Sequence, residues 1–173
     1  MAHPAQKQFF ESVKTKHPKY FDNVNVIDCG SLDVNGTLKD LFTNSDYTGV
    51  DIVAGKNVDI VSHIKDLPAK KYDVVISGEM LEHDETWAES LKKMFDMCKK
   101  GGLIAISAAG KGRPEHGTTR STGKNAIWGT SADYYMNIEE EHIRSVFKED
   151  MFTESEVTYN ERAKDIYFYG VKK

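Results

Sequence analysis

At 173 residues the chain has the length of about one domain, and with 39% hydrophobic and 29% charged residues it is neither a disordered tail, a collagenous repeat nor a disulfide scaffold. Lys and Arg total 23 against 27 Asp and Glu, for a formal net charge of -4, so no global field draws it to nucleic acid or to an anionic membrane. Its two cysteines, Cys29 and Cys98, sit in apolar segments and read as buried free thiols. No signal-peptide pattern and no membrane-length apolar run is present, so the expected location is the cytoplasm.

Residues 1–21 form an N-terminal helical segment, with Phe9, Phe10 and Val13 at helical spacing and a stop before Pro18. Residues 24–29 read as a buried strand bounded by Gly30, and Leu38, Leu41 and Phe42 suit a short helix behind the Asn35-Gly36 turn. Three more β-branched runs follow, at 47–53, 58–61 and 72–77, nearly continuous as in parallel strands covered on both faces. The clearest helix is capped by Asp84, carries Trp87, Ala88, Leu91, Met94, Phe95 and Cys98 on one stripe, and ends at Gly101-Gly102. A fifth strand is expected over 103–107. Residues 109–133 lack periodicity and read as a long loop on the substrate side. A helix from Asn137 follows, with Glu140 in a capping box and Ile143, Val146 and Phe147 on its face. Two antiparallel strands, 152–159 and 165–171, close the chain, and the last is apolar on both faces and therefore interior.

Strands alternating with helices imply a single α/β domain over 1–173: a Rossmann-like, open, mostly parallel seven-stranded sheet with an antiparallel final strand and helices on both faces. Ligands of such sheets bind at the carboxyl ends of the strands, where the strand order reverses. There the first strand ends in Asp28-Cys29-Gly30, and the second in Asp51, 21 residues after Gly30, the spacing of a carboxylate that accepts hydrogen bonds from a ribose diol. A strand cap at Asp51 and a plain turn at Gly30 are the alternatives. Leu32 and Asp33 stand where a pyrophosphate needs bare glycine amides, and carboxylates at Asp28, Asp33 and Glu79 repel one. They suit a ligand with an ammonium and a sulfonium, which favours S-adenosylmethionine over NAD.

The stretch from Val24 to Ser107 resembles the class I S-adenosylmethionine-dependent methyltransferases, particularly their small single-domain type 11 members. Val26-Ile27-Asp28-Cys29-Gly30-Ser31 is similar to their first motif, Gly49-Val50-Asp51 to their second, and Asp66-Leu67-Pro68 to the segment before the fourth strand. Tyr72 to His83, ending Leu81-Glu82-His83, is similar to the fourth-strand motif, and Lys100-Gly101-Gly102-Leu103 to the glycine pair before strand five. The resemblance implies that Asp28, Gly30 and Ser31 line the methionine moiety, Asp51 the ribose, Ile52, His63 and Ile64 the adenine, and that Ser77, Gly78, Glu79 and Met80 floor the site. It also implies S-adenosylhomocysteine as the product. The chain departs from the family in carrying Gly30-Ser31-Leu32-Asp33-Val34 for Gly-x-Gly-x-Gly, His63 for an acidic residue and Lys100 for a common proline.

Glu79 and His83, four apart, invite a metal reading, but no third ligand is placed by the sequence and no metal is expected. Leu81 packing inward, with Glu82 and His83 bonding the loop, is the structural alternative. Within 110–124, Lys111, Arg113, Arg120 and Lys124 face only Glu115, an excess suited to an anionic acceptor. Arg113, His116 and Arg120 are the substrate-side candidates, and His116 the candidate general base for a hydroxyl. With no room for an inserted recognition domain, the expected acceptor is a small molecule, a glycan or an exposed terminus rather than nucleic acid. A module that binds S-adenosylmethionine or a partner without catalysis is the second reading.

Overall fold

The computed structural model of the protein describes residues 4–122 and 133–173. Its centre is a seven-stranded sheet of order β3-β2-β1-β4-β5-β7-β6. The strands are β1 (Asn25–Cys29), β2 (Asp46–Asp51), β3 (Ile60–Val61), β4 (Tyr72–Gly78), β5 (Cys98–Ala109), β6 (Phe152–Asn160) and β7 (Asp165–Lys172). The first five pair in parallel, while β7 runs antiparallel between β5 and β6. The expected sheet and the interior position of the last strand are both found.

Each central strand sends alternate side chains to opposite faces, because successive Cβ atoms of a strand point opposite ways. Ile27, Val75, Ile104 and Ile106 face one core, with Leu91, Met94, Met97, Phe147 and Phe168. Val26, Val74, Ile76, Leu103 and Ala105 face the other, with Phe10, Val13 and Tyr169. Both faces are therefore dry, and each fully buried Leu, Ile, Val or Phe contributes roughly 1.5–3 kcal/mol. The first core is covered by α2 (Trp87–Met97) and α4 (Glu140–Val146), and the second by α1 (Pro4–Lys16). A single turn, α3 (Thr119–Thr122), lies beyond β5.

Several boundaries differ from the expected ones. The helix α2 stops at Met97, and Cys98 is already extended at φ -75, ψ 131. Gly101-Gly102 does not cap a helix: it lies in an irregularity of β5 opposite β4, where a Cβ on Gly102 would sit 2.7 Å from Cys98 Sγ and 2.8 Å from the Asp73 carbonyl. Asp84 lies ahead of the true N-cap, Thr86, and its carboxylate accepts from the Thr86 amide (2.8 Å) and the Ser90 hydroxyl. The capping box of α4 is formed by Glu139 with His142, not by Glu140. A 3-10 turn at Lys39–Leu41 replaces the short helix after the Asn35-Gly36 turn. The expected loop at 109–133 begins as β5 and contains α3, and residues 123–132, with Lys124, lie outside the described residues. Both cysteines are buried and unbridged. Among the described residues no helix is long and apolar enough to cross a membrane.

Candidate functional site

The chain leaves β1 toward β2 on one side and returns to β4 on the other, so the carboxyl ends of β1 and β4 border the crevice where strand order reverses. Gly30 turns the chain there at φ +90, a left-handed conformation natural to glycine. A Cβ on it would stand 2.5 Å from Met80 Cβ, so the turn has no room for a side chain. The amides of Gly30 and Ser31 both donate to the Val50 carbonyl, at 2.8 and 3.0 Å, and Ser31 Oγ donates to the Asn57 carbonyl (2.8 Å). The crossing from β1 is thus fastened to β2.

Asp28 is buried at the end of β1. Tyr47 donates its hydroxyl to Asp28 Oδ2 (2.6 Å), while Oδ1 is buried with no hydrogen-bond partner among the described residues. Desolvation pushes this carboxyl up to about 6, the Tyr47 bond opposing the shift and the Asp51 charge adding to it. Asp51, half-buried, accepts from the Leu32 amide (3.3 Å) and the Val53 amide (3.1 Å), and burial raises its carboxyl too. Ser62 donates its amide to the Asp51 carbonyl (2.9 Å), which brings His63 and Ile64 past the end of β2. His63 is exposed there, Ile52 is half-buried, and Ile64 is turned into the core. Asp33 does not join the other carboxylates: it accepts from the Gly36 amide (2.7 Å) and pairs with Lys56 (2.6 Å).

Beyond β4, Ser77 is fully buried and donates to the Cys29 carbonyl (2.7 Å). Gly78 lies against Gln6 of α1, which a side chain at this position would strike. Gln6 donates Nε2 to Ser107 Oγ (2.9 Å), and its Oε1 is buried without a hydrogen-bond partner among the described residues. A pocket of about 290 Å³, counted out to its open mouth, is lined by Gln6, Asp28, Gly30, Ser31, Leu32, Gly36, Thr37, Leu38 and Gly78. Four of the expected site residues meet in it directly, and Glu79 and Met80 follow on its β4 side. Gln6 was not expected, although the sequence carries a signal for it: Gln6, Phe10 and Val13 share the buried face of α1, where an amide stands among apolar residues.

A second cluster lies past the ends of β4 and β5. Leu81 is buried in the core, as the structural reading of that segment requires. Glu79 is held in the left-handed region at φ 55, uncommon for a residue with a side chain, and its carboxyl lies against that of Glu82. Glu82 is fully buried, and burial raises its carboxyl. The rings of His83 and His116 meet edge to face with centroids 5.0 Å apart, and Tyr135 packs on both, at 5.5 and 5.1 Å. Burial pushes His83 down to about 4 and lowers His116 as well, so both imidazoles are neutral near pH 7. The two arginines are engaged in ion pairs of their own, although the Arg113 charge is felt by His116 and Tyr135. Arg113 pairs with buried Asp165 (2.6 Å) and donates to the Ala163 carbonyl (2.7 Å). Arg120 pairs with Glu115 (2.6 Å) and Asp133 (3.3 Å).

The crevice fits a nucleoside with a cationic tail. A carboxylate sits at the end of each of two adjacent strands, and Asp28 is the sole ionisable residue lining the pocket among those described. Its buried, unpartnered oxygen favours a positive group and opposes a pyrophosphate.

A sequence profile described as a methyltransferase domain matches residues 3–154. A search of curated protein sequences found no match. Among solved structures, the chain is similar to the 1,6-didemethyltoxoflavin-N1-methyltransferase of Burkholderia thailandensis, solved with 1,6-didemethyltoxoflavin and S-adenosylhomocysteine: TM-score 0.66, 15% identity, 98% of this chain and 79% of that one. It is also similar to the N-methyltransferase NodS of Bradyrhizobium japonicum WM9 in complex with S-adenosylhomocysteine: TM-score 0.61, 13% identity, 97% and 85% of the two chains. The magnesium protoporphyrin IX methyltransferase of Synechocystis PCC 6803, with bound S-adenosylhomocysteine, matches at TM-score 0.57 and 17% identity over 96% and 83%. At these identities the likeness is one of fold.

Proposed function

This chain belongs to the methyltransferase domain family, and from that premise we propose that it is an S-adenosylmethionine-dependent enzyme that methylates a small-molecule, glycan or chain-terminal acceptor by direct displacement. The observation that carries the cofactor assignment is the polar pocket at the end of β1, where Asp28 alone among the described lining residues is ionisable. When bound, the cofactor supplies a methyl group already activated by its sulfonium. Asp28, Gly30 and Ser31 would hold the methionine moiety, with Gln6 closing the pocket from α1. Asp51 would accept from the ribose hydroxyls, its orientation set by the Leu32 and Val53 amides. Ile52 and His63 border the adenine side, while Ile64 supports it from the core. Ser77, Gly78, Glu79 and Met80 floor the site.

The residues have little covalent chemistry to perform, since orientation supplies most of the acceleration in such a displacement. An acceptor that carries a proton would have to lose it as it is methylated, so a group able to take that proton belongs on the acceptor side. His116 is the acceptor-side residue suited to a part in this. Its Nδ1 bonds the Pro114 carbonyl (3.1 Å), which can only accept, so Nε2 carries the lone pair and is turned toward Glu82. An anion-binding role for this loop has less support, because both arginines are already paired within the chain.

Calorimetry with S-adenosylmethionine, S-adenosylhomocysteine and NADH tests the cofactor: both sulfur ligands bind and NADH does not. Failure of both sulfur ligands would overturn the reading. Incubation with methyl-labelled S-adenosylmethionine and a cell extract then tests catalysis. Cofactor binding without any labelled product would favour the non-catalytic module.

A further inference from the structure

We propose that Glu82, His83 and His116 form a binding site for a first-row transition-metal dication at the acceptor end of the crevice. One nitrogen or oxygen from each residue falls within 4.8 Å of the others. Ligands about 2.0–2.2 Å from one ion lie about 3–4.4 Å from each other, so small side-chain shifts close the site.

The hydrogen bonding of each residue argues for a cation. His116 spends its Nδ1 proton on the Pro114 carbonyl, which leaves the Nε2 lone pair facing Glu82 Oε1 at 3.9 Å. That is too long for a hydrogen bond, and a lone pair facing a carboxylate oxygen is repulsive unless a positive charge lies between them. His83 follows a similar plan: its ring lies close to the Tyr134 backbone, while Nδ1 is buried with no hydrogen-bond partner among the described residues. Histidines that bind metals commonly donate their second ring nitrogen to a carbonyl, which fixes the tautomer and aims the lone pair. Glu82 is fully buried, and neither of its oxygens makes a hydrogen bond of full geometry among the described residues, although the Glu79 carboxyl and the Ala109 backbone lie close. Two carboxyls side by side in a dry site call for a proton or a cation. The left-handed backbone at Glu79, strained for a residue with a side chain, holds that residue in the pair.

Two imidazoles with a carboxylate select transition metals over magnesium or calcium, which favour all-oxygen shells. Three protein ligands leave a position open toward solvent, where His116 is 28% exposed. The consequence for catalysis rests on the proposed methyltransferase reading. A hydroxyl acceptor bound at the open position would be acidified by the ion, and its proton would pass to water rather than to the occupied His116 nitrogen.

The test uses the full chain without an affinity tag, freed of metal by a chelator, and titrated with Co2+ by visible absorbance and calorimetry. The expected result is one Co2+ per chain, much weaker binding of Mg2+, and a loss of more than about tenfold in Co2+ affinity for both His116→Ala and Glu82→Gln. That threshold is the low end of the loss typical even when only an outer partner of a metal ligand is removed. S-adenosylhomocysteine affinity is measured on each variant and should stay at the wild-type level, which also shows that the variants fold. The proposal is overturned if the wild type takes up no stoichiometric Co2+, or if both variants bind it as well as the wild type. If Co2+ binds as expected and S-adenosylhomocysteine binds to none of the three proteins, the metal site stands and the methyltransferase reading falls.

Discussion

If Asp28 holds the cofactor as proposed, its burial sets function against stability. Its carboxyl is buried, its Oδ1 lacks a hydrogen-bond partner among the described residues, and burial raises it from 3.8 to about 6. A raised carboxyl binds protons more tightly in the folded chain than in the unfolded one. Its contribution to stability is therefore full below 3.8 and is lost as pH rises through about 6. A rise from 3.8 to about 6 corresponds to about 3 kcal/mol. Asp28→Asn, which keeps the shape and an acceptor for Tyr47, should then raise the stability of the ligand-free protein by up to about 3 kcal/mol at pH 7. For a chain of this size that is roughly 6–12 °C in Tm. At pH 4, where Asp28 is already protonated in the folded state, the gain should shrink below about 1 kcal/mol. Urea denaturation of both proteins at pH 7 and pH 4 gives the difference directly. Wild-type stability alone does not suffice, because His83, pushed down to about 4, loses stability as pH falls from 6.5 and masks the Asp28 effect. A gain that is absent at pH 7, or equal at the two pH values, would refute the argument. The same substitution should cost S-adenosylmethionine affinity, so a variant more stable and poorer in binding is the combined signature.

Asp51→Asn should weaken S-adenosylhomocysteine binding by about 1.5–3 kcal/mol, the scale for a hydrogen bond to a charged group, and unchanged affinity by calorimetry would remove Asp51 from the site. Gly30→Ala must fit a methyl group 2.5 Å from Met80 Cβ at φ +90, and should lower stability by about 1–3 kcal/mol in thermal unfolding. Arg113→Ala removes one partner of a buried ion pair; with Arg113 25% exposed, a loss of about 2–3 kcal/mol is expected on urea denaturation, while S-adenosylhomocysteine affinity stays within about twofold. A stable Arg113→Ala protein with impaired methyl transfer would return this arginine to the substrate side.

The strands were legible in the chain because β-branched runs such as Val74-Val75-Ile76 are apolar on both faces, and only a covered sheet accepts such a run. Boundaries were less legible. Gly101-Gly102 follows an apolar helical stripe and reads as its end, yet the glycines serve the approach of β5 to β4, a contact between segments far apart in sequence. Gln6 escaped notice for a similar reason. Its position on the inner face of α1 was readable, but its place in the pocket depends on where α1 lies over the sheet.

The acceptor side shows the same division most clearly. Charge counting over 110–124 pointed to an anion-binding loop, because composition cannot tell which arginines are already matched. Folding pairs Arg113 with Asp165, 52 residues later, and Arg120 with Glu115 and Asp133. The sequence offers Glu79 and His83 without a third ligand, and it is the parallel pairing of β4 with β5 that brings His116 beside His83 and Glu82 instead. The proposed cofactor half could be drawn from sequence because its candidate residues sit at the ends of consecutive strands, where local spacing decides position. The proposed acceptor half takes shape only in three dimensions, where its polar groups come from distant segments and their charges are set by the partners they meet.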